Sequence, residues 1–372
     1  MKWTNTMYGL YCGSVLLIAA LGPGGASAQD AGTLIADSLN GPMGILVTPA
    51  GDVLVVDSGT GGEHESLTLH PVTRQPATVY TGETSRILKL SPDGSQTTLQ
   101  MLPSALFDPQ NVYGGARLVM VDDDLYVTSG AWSEHDPGEL PPFAAAVVRI
   151  RDGKRTEVAS LWPLERDENP DETLNVESNP FGMTLGPDGH LWVADAAANT
   201  LVRIDPNSGS LELVAVFEGV ESPLPRESRG GARETDPVPT AVAFDDDGNA
   251  LVSLLPGLPL LPGTGQVVKV TPEGQVSGYA TNLTMPTDLR RGPDGALYAV
   301  SFARFTDQGP EPNSGAIVRI REGAESEVVL EGLSFPTSID FNDAGDAFVT
   351  LNGVGEPGSG EVRKFEALAA GG

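Results

Sequence analysis

The sequence predicts an all-β protein built from six copies of one four-stranded antiparallel unit. Three observations carry that prediction. First, 45 Gly and 30 Pro make up about a fifth of the 372 residues, against a usual share of roughly 12%. Long helices are therefore disfavoured, which argues against a bundle, a coiled coil or a TIM barrel. Hydrophobic residues still make up 40% of the chain and recur in short Val, Leu and Ile runs, so a core can form. Second, one phrase recurs six times: Pro, two residues, an apolar run, a Gly or Asp turn, and another apolar strand. Third, the last copy stops one strand short, while the chain begins with a strand to spare. Together these describe a six-bladed β-propeller whose last blade is closed by the N-terminal strand.

In chain order, residues 1–28 read as an export signal. Lys2 is followed by an apolar run over 10–21 and by Ala26-Ser27-Ala28, an A-x-A cleavage site before Gln29. That run is shorter than the roughly 18 residues a membrane span needs. Cleavage removes Cys12, the single Cys. The mature domain, 29–372, then has no disulfide, thiol nucleophile or thiolate zinc site. Thr33-Leu34-Ile35-Ala36-Asp37-Ser38-Leu39 precedes Pro42 as Val328-Val329-Leu330-Glu331-Gly332-Leu333 precedes Pro336. It is therefore assigned as the fourth strand of blade six, which removes an open sheet edge.

The six copies start at Pro42, Pro109, Pro180, Pro239, Pro286 and Pro336. Copy three is the clearest. It runs Pro180-Phe181-Gly182-Met183-Thr184-Leu185, turns at Pro187-Asp188-Gly189, and continues Leu191-Trp192-Val193-Ala194-Asp195. The other second strands end at Asp57, Thr128, Ser253, Ser301 and Thr350. Third strands carry a basic residue at constant phase, at Lys89, Arg149, Arg203, Lys269, Arg319 and Arg363-Lys364. These positions are expected to pair one blade with the next.

The formal charge is −28, from 50 acidic and 22 basic residues. Such a surface repels nucleic-acid backbones and anionic lipids, and it favours cations or cationic partners. A monomer is expected, as is the absence of a haem or nucleotide site.

In a meandering blade, the loop between strands two and three shares one face with the blade-to-blade connection. Here that face has the long segments: 58–85, 130–145, 254–265 and 302–314, with acidic connections 161–177 and 218–238. Long loops on a rigid scaffold concentrate function. The expected site is therefore the channel mouth on this face, with an unknown small molecule or protein as partner. His64, His70 and His135 fall on it, and His190 on the opposite face. No G-x-S-x-G or H-E-x-x-H motif is present. Asp108, Asn111, His135, Asn179 and Asn199 are candidate ligand-binding residues. Asp57, Asp195 and Asp288 are candidate ligands of Ca²⁺ or Mg²⁺, which prefer hard oxygen donors. The competing expectation is that these Asp and Asn side chains cap turns. Trp132, Phe143 and Trp162 are expected to pack within the loops.

Several stretches resemble the ScyD/ScyE family of exported bacterial propeller proteins. They are Asp57-Ser58-Gly59-Thr60-Gly61-Gly62, Glu168-Asn169-Pro170-Asp171, Glu177-Ser178-Asn179-Pro180-Phe181-Gly182-Met183, Ala198-Asn199-Thr200-Leu201-Val202-Arg203-Ile204-Asp205-Pro206, Leu255-Pro256-Gly257-Leu258-Pro259-Leu260-Leu261-Pro262-Gly263, and Leu351-Asn352-Gly353-Val354-Gly355-Glu356-Pro357-Gly358-Ser359-Gly360-Glu361-Val362. The resemblance spans nearly the whole mature chain and implies a propeller fold and export. More distantly, the chain is similar to NHL and gluconolactonase- or regucalcin-type propellers. That similarity implies a channel-mouth Ca²⁺ held by one Glu, two Asn and one Asp, an Asn or Asp tending to follow the strand-start Pro. Here the residues after the six Pro are Met43, Gln110, Phe181, Thr240, Thr287 and Thr337, and Asn40 stands where that family has its Glu. The family's ligand set is thus absent, leaving Asp57, Asp195 and Asp288 as the alternative.

Two readings of function follow. One is an exported propeller that binds a ligand or partner on its loop-rich face without turnover. The other is a metal-assisted hydrolase, lyase or isomerase at the channel mouth. A purely structural envelope protein is a third.

Overall fold

The computed structural model describes residues 32–69, 76–107, 111–136, 138–306, 308–322 and 325–370. The expected export signal, His70, Asp108, Pro109 and Gln110 lie outside the described residues, as does the side chain of Asn111. Among the described residues, six antiparallel sheets carry the fold. Their first strands are Pro42–Val47, Gly115–Val121, Pro180–Leu185, Pro239–Phe244, Pro286–Arg291 and Ser338–Phe341. Each packs against the next, and Ser338–Phe341 packs against Pro42–Val47. The architecture is all-β and propeller-like.

The second strands explain much of the stability. Val53–Asp57, Leu191–Asp195, Ala250–Leu254, Leu297–Ser301 and Ala347–Leu351 are buried at every residue. A strand flanked on both faces by other sheets must be apolar throughout rather than alternating. Those runs supply the repeated signal in the sequence. Core clusters accordingly form between neighbouring sheets. Ile45, Val55 and Leu88 of the first sheet meet Leu39, Phe348 and Val362 of the sixth.

The N-terminal strand Thr33–Leu39 pairs antiparallel with Gly360–Phe365, as its sequence parallel with 328–333 predicts. A second link joins the same two sheets. Thr337 Oγ1 donates to the carbonyl of Pro42 at 2.6 Å. Thr240 makes the same bond to Pro286 at 2.7 Å, and Thr287 a longer one to Pro336 at 3.5 Å. The Thr after a strand-start Pro is thus a repeated clamp between neighbouring first strands.

Three expectations are corrected. The second repeat does not begin at Pro109. Gly115 pairs with Ser129 there as Pro180 pairs with Asp195 in the third sheet, so the register starts six residues later on a Gly. The basic third-strand residues pair chiefly within their own sheets, with the Asp of the turn between strands one and two. Lys89 meets Asp52 at 2.5 Å, Lys269 meets Asp245 at 3.1 Å, and Lys364 meets Asp346 at 3.4 Å. Arg319 binds Asp294 likewise. The third strand lies beside the second, so its outward side chain reaches that turn more readily than the next sheet. Only Lys269, among these four, also reaches across, to Glu322 at 3.0 Å.

The long segments, third, are not plain loops. Segment 58–85 contains His64–Leu69, paired with an extended third strand, Pro76–Leu90. Segment 218–238 forms the hairpin Val220–Arg226 with Ala232–Thr235, and 161–177 carries the helix Trp162–Glu168. Trp162 is buried in that helix, and Phe143 lies 4.9 Å beneath the Arg155 guanidinium, so both pack locally as expected.

Candidate functional site

The third residue of five first strands, and Ser338 at the matching register of the sixth, share one position in the repeat. These residues are Gly44, Arg117, Gly182, Ala241, Asp288 and Ser338, aligned by the strand register. Four are small for a steric reason. A Cβ on Gly182 would sit 2.6 Å from the Cα of Ala241 in the neighbouring strand, closer than packing allows. The small residues leave room for the two large ones, Arg117 and Asp288.

Arg117 is 1% exposed and reaches several sheets. Nη1 donates to the carbonyls of Met43 and Ala116. Nη2 donates to Thr287 O at 2.5 Å and Thr337 O at 3.0 Å. Nε lies 3.4 Å from Asp288 Oδ1, and the guanidinium carbon sits 4.6 Å from the Phe181 ring centroid. One side chain thus joins the first, second, third, fifth and sixth sheets. Asp288 is equally engaged. Its Oδ2 accepts from Ser338 Oγ at 2.5 Å and Ile339 N at 3.1 Å, and Oδ1 from Leu289 N at 2.9 Å. Burial pushes this carboxyl up, but Arg117 and Arg290 outweigh it and hold it below the usual range. Arg290 in turn donates to the carbonyls of Ile339 and Ile45, each at 3.3 Å. It lies 3.9 Å from Asp340.

This axis does not fit a divalent cation. Ca²⁺ needs six to eight oxygen ligands. Here the carbonyls converging on the centre accept from a guanidinium, and both oxygens of Asp288 have protein partners. The resident charge is Arg117 itself.

The other two expected metal ligands stand apart from Asp288. Asp57 ends the second strand of the first sheet. Its Oδ2 accepts from Arg86 Nε at 3.1 Å and forms an ion pair with Nη2 at 3.0 Å; burial raises its pKa. Asp195 does the corresponding job in the third sheet. Its carboxylate accepts from Ser178 Oγ at 2.5 Å and from the backbone N–H groups of Asn179, Ala197 and Ala198, at 2.7, 3.3 and 3.2 Å. That is turn capping. Among the described residues, no three His, Cys, Asp or Glu side chains gather into a metal site. The expected Asp57, Asp195 and Asp288 triad is therefore replaced by three separately partnered carboxylates.

Asp195 does belong to a group, on the loop-rich face. Asn199, left-handed at φ 54°, donates from Nδ2 to Asp171 Oδ2 at 2.7 Å and accepts from Val238 N at 3.2 Å. Asn179 is buried and joins through its backbone to Asp195 and Ala196. The strand Trp132–Ser133 pairs with Glu177–Ser178, which brings the His135 turn alongside. His135 itself is half-buried, 3.6 Å from Glu134, and its backbone carbonyl accepts from Thr68 Oγ1 at 3.0 Å. His64 lies 3.4 Å from Ser66 on the outer hairpin, away from this group.

Sequence reasoning named the acidic connection but missed its central residue, Glu165. The helix Trp162–Glu168 packs on Glu177–Ser178 and buries Trp162 and Glu165 together, three residues apart on one face. Glu165 is 1% exposed, and the one donor near its carboxylate is the backbone N–H of Glu177, which offsets burial only in part. Desolvation pushes its pKa up to about 9, with Asp171, Asp195 and Glu177 adding like-charge repulsion. The Trp162/Glu165 spacing in so acidic a segment was the available signal.

The fold and this site define a propeller-like protein with a cross-braced axis and a buried acidic group on its loop-rich face. No family model matches the chain. A gluconolactonase of Zymomonas mobilis is 24% identical over 190 residues, covering 48% of this chain and 50% of that protein. The chain thus spans about half the length of the curated relative it matches. The PQQ-bound aldose sugar dehydrogenase of Streptomyces coelicolor superposes with a TM-score of 0.51 at 13% identity, covering 90% of this chain and 96% of that one. Regucalcin of Agrobacterium tumefaciens, a calcium-binding protein, gives a TM-score of 0.49 at 13% identity, covering 91% and 97%. At such identities the structural likeness is one of fold: a distant resemblance to gluconolactonase-type propellers.

Proposed function

We propose that the protein is an exported, monomeric six-bladed β-propeller, its ring closed by Thr33–Leu39, that binds a ligand or protein partner on its loop-rich face without metal-dependent turnover at the axis. The observation that carries this reading is the Arg117–Asp288 pair. A channel-mouth hydrolase of the metal-assisted kind needs an open cation site, and here the central carbonyls and carboxylate are taken up by the chain's own guanidinium. Export rests on the signal-like residues 1–28, and the ScyD/ScyE resemblance agrees with both parts. The acidic balance favours a partner with positive charge.

The test is to purify 29–372 and assay hydrolysis of a panel of sugar lactones with EDTA, Ca²⁺ or Mg²⁺. The expected result is no metal-dependent turnover, with light scattering giving the mass of one chain. Saturable, EDTA-sensitive hydrolysis would refute it and establish the second reading, a metal-assisted hydrolase or lyase. That second reading draws on the Glu165 group and on the gluconolactonase likeness.

A further inference from the structure

We infer that the outer hairpin of the first sheet, His64–Leu69 on Pro76–Leu90, docks an extended segment of a partner protein, apolar and basic, as an added strand along His64–Leu67. The inference rests on the reading above, that the loop-rich face binds a partner, and names that partner's chemistry.

Its starting point is the contrast between sheet edges. The outermost strands of the six sheets are Gln96–Phe107, Lys154–Ser160, Leu211–Val216, Val276–Leu283, Glu327–Leu333 and Thr33–Leu39, and each pairs with its inner neighbour through at least one register shift. Such bulges turn an edge away from other chains. His64–Leu69 differs. Its six residues pair with Thr81 to Pro76 without a shift, and among the described residues it has no strand on its other side. It holds no Pro, Lys or Arg, the residues that natural edges use to deter pairing. The two faces of the hairpin are also unlike. Val79, Phe107 and Tyr113 are buried together on one face, where Thr68 Oγ1 donates to the His135 carbonyl at 3.0 Å. The opposite face is the exposed one, yet it is apolar. Glu65, Tyr80, Leu106 and Val112 stand in one cross-strand row, and Leu67 follows Glu65 on the same side. Gly61, donating to Ser104 Oγ at 3.0 Å, covers this face only near Leu106. Leu67 stays 76% exposed, the most of any large hydrophobic residue described, and Tyr80 38%. An open ladder offers main-chain hydrogen bonds to an added strand, and the side chains beside it select its sequence. Glu63 and Glu65 are exposed, and 76–85 carries no basic residue to balance them. A second copy of this chain would bring like charge against Glu65 on a body of formal charge −28. Lys or Arg set among β-branched or aromatic residues complements the edge instead.

The mature chain is immobilised and panned against phage-displayed random linear peptides. The peptides recovered should alternate β-branched or aromatic residues with Lys or Arg. A synthetic consensus peptide should bind saturably, weaken as salt rises, and slow amide hydrogen exchange in 64–67. Leu67→Lys and Glu65→Lys should each lose about tenfold or more in affinity. Val328→Lys, at another exposed apolar position on the bulged outer strand of the fifth sheet, should bind as the parent. Recovery of no peptide or of acidic ones, protection that spares 64–67, or unchanged affinity in Leu67→Lys overturns the inference. So does a dimer of the peptide-free parent protected at 64–67, because a second copy then occupies the edge. Should Leu67→Lys melt lower than the parent, Glu65→Lys carries the same expectation. Lactone hydrolysis is read on the same preparations. Metal-dependent turnover with peptide binding intact refutes only the reading above, and a protein with neither turnover nor peptide binding refutes only the inference.

Discussion

Replacing Arg117 by Met tests the axis most directly. Met keeps a long apolar stem and removes the guanidinium. The carbonyls of Met43, Thr287 and Thr337 then lose their shared donor, and Asp288 loses its closest counter-charge. Breaking a buried ion pair from one side costs about 3–5 kcal/mol, and orphaned carbonyls add about 1 kcal/mol or more each. These terms overlap, so the expected loss is about 5 kcal/mol. At about 2–4 °C per kcal/mol for a domain of this order, melting should fall by about 10 °C or more. The assay is unfolding in urea followed by tryptophan fluorescence. Guanidinium chloride is unsuitable because its cation could occupy the vacated position. For the same reason, millimolar guanidinium in the urea experiment should raise the midpoint of Arg117→Met and leave the parent unchanged. Removing both charges, Arg117→Met with Asp288→Asn, should recover part of the loss, because no unpaired carboxylate remains. A single-variant loss under 1 kcal/mol, or a double variant no more stable than the single, would refute the keystone role.

Other expectations follow from the same contacts. Asp288→Asn should destabilise fully at neutral pH. The folded pKa of Asp288 is lowered, so its contribution is present above the unfolded value near 3.9 and is lost as pH falls through the folded value. The stability gap to the parent should therefore close in acid, and a gap that persists at low pH would contradict the assignment. Asp195→Ala should cost about 3 kcal/mol in urea unfolding by leaving buried N–H groups without an acceptor. Thr337→Val removes the bond to Pro42 and should cost about 1 kcal/mol by the same measurement. Deleting 33–39 exposes the edge of Gly360–Phe365; size-exclusion chromatography should then show self-association rather than a clean monomer.

Much of the fold was legible because it is local and repeated. Each second strand is flanked on both faces, so its apolar run marks it without long-range knowledge. The N-terminal strand could be assigned because its sequence parallels 328–333. The second repeat misled the register because its first strand begins at Gly115 rather than a Pro, which hid the fact that Arg117 occupies the same position as Gly182 and Asp288. The candidate site was half legible. Asn179, Asn199 and Asp195 do gather on the loop-rich face, yet as caps and braces. Glu165 was passed over because a Glu in an acidic segment reads as solvated until a helix buries it.

By itself, then, the sequence determined the all-β class and most strands of the repeat. These depend on composition and on patterns a few residues long. The tertiary structure decided which charges meet. Arg117 finds its carbonyl partners 74, 170 and 220 residues away, and no local pattern encodes such distances. Whether an Asp serves as a metal ligand, a turn cap or the counter-ion of a buried guanidinium depends on desolvation and on the donors that packing brings within about 3 Å. Only the folded chain sets both.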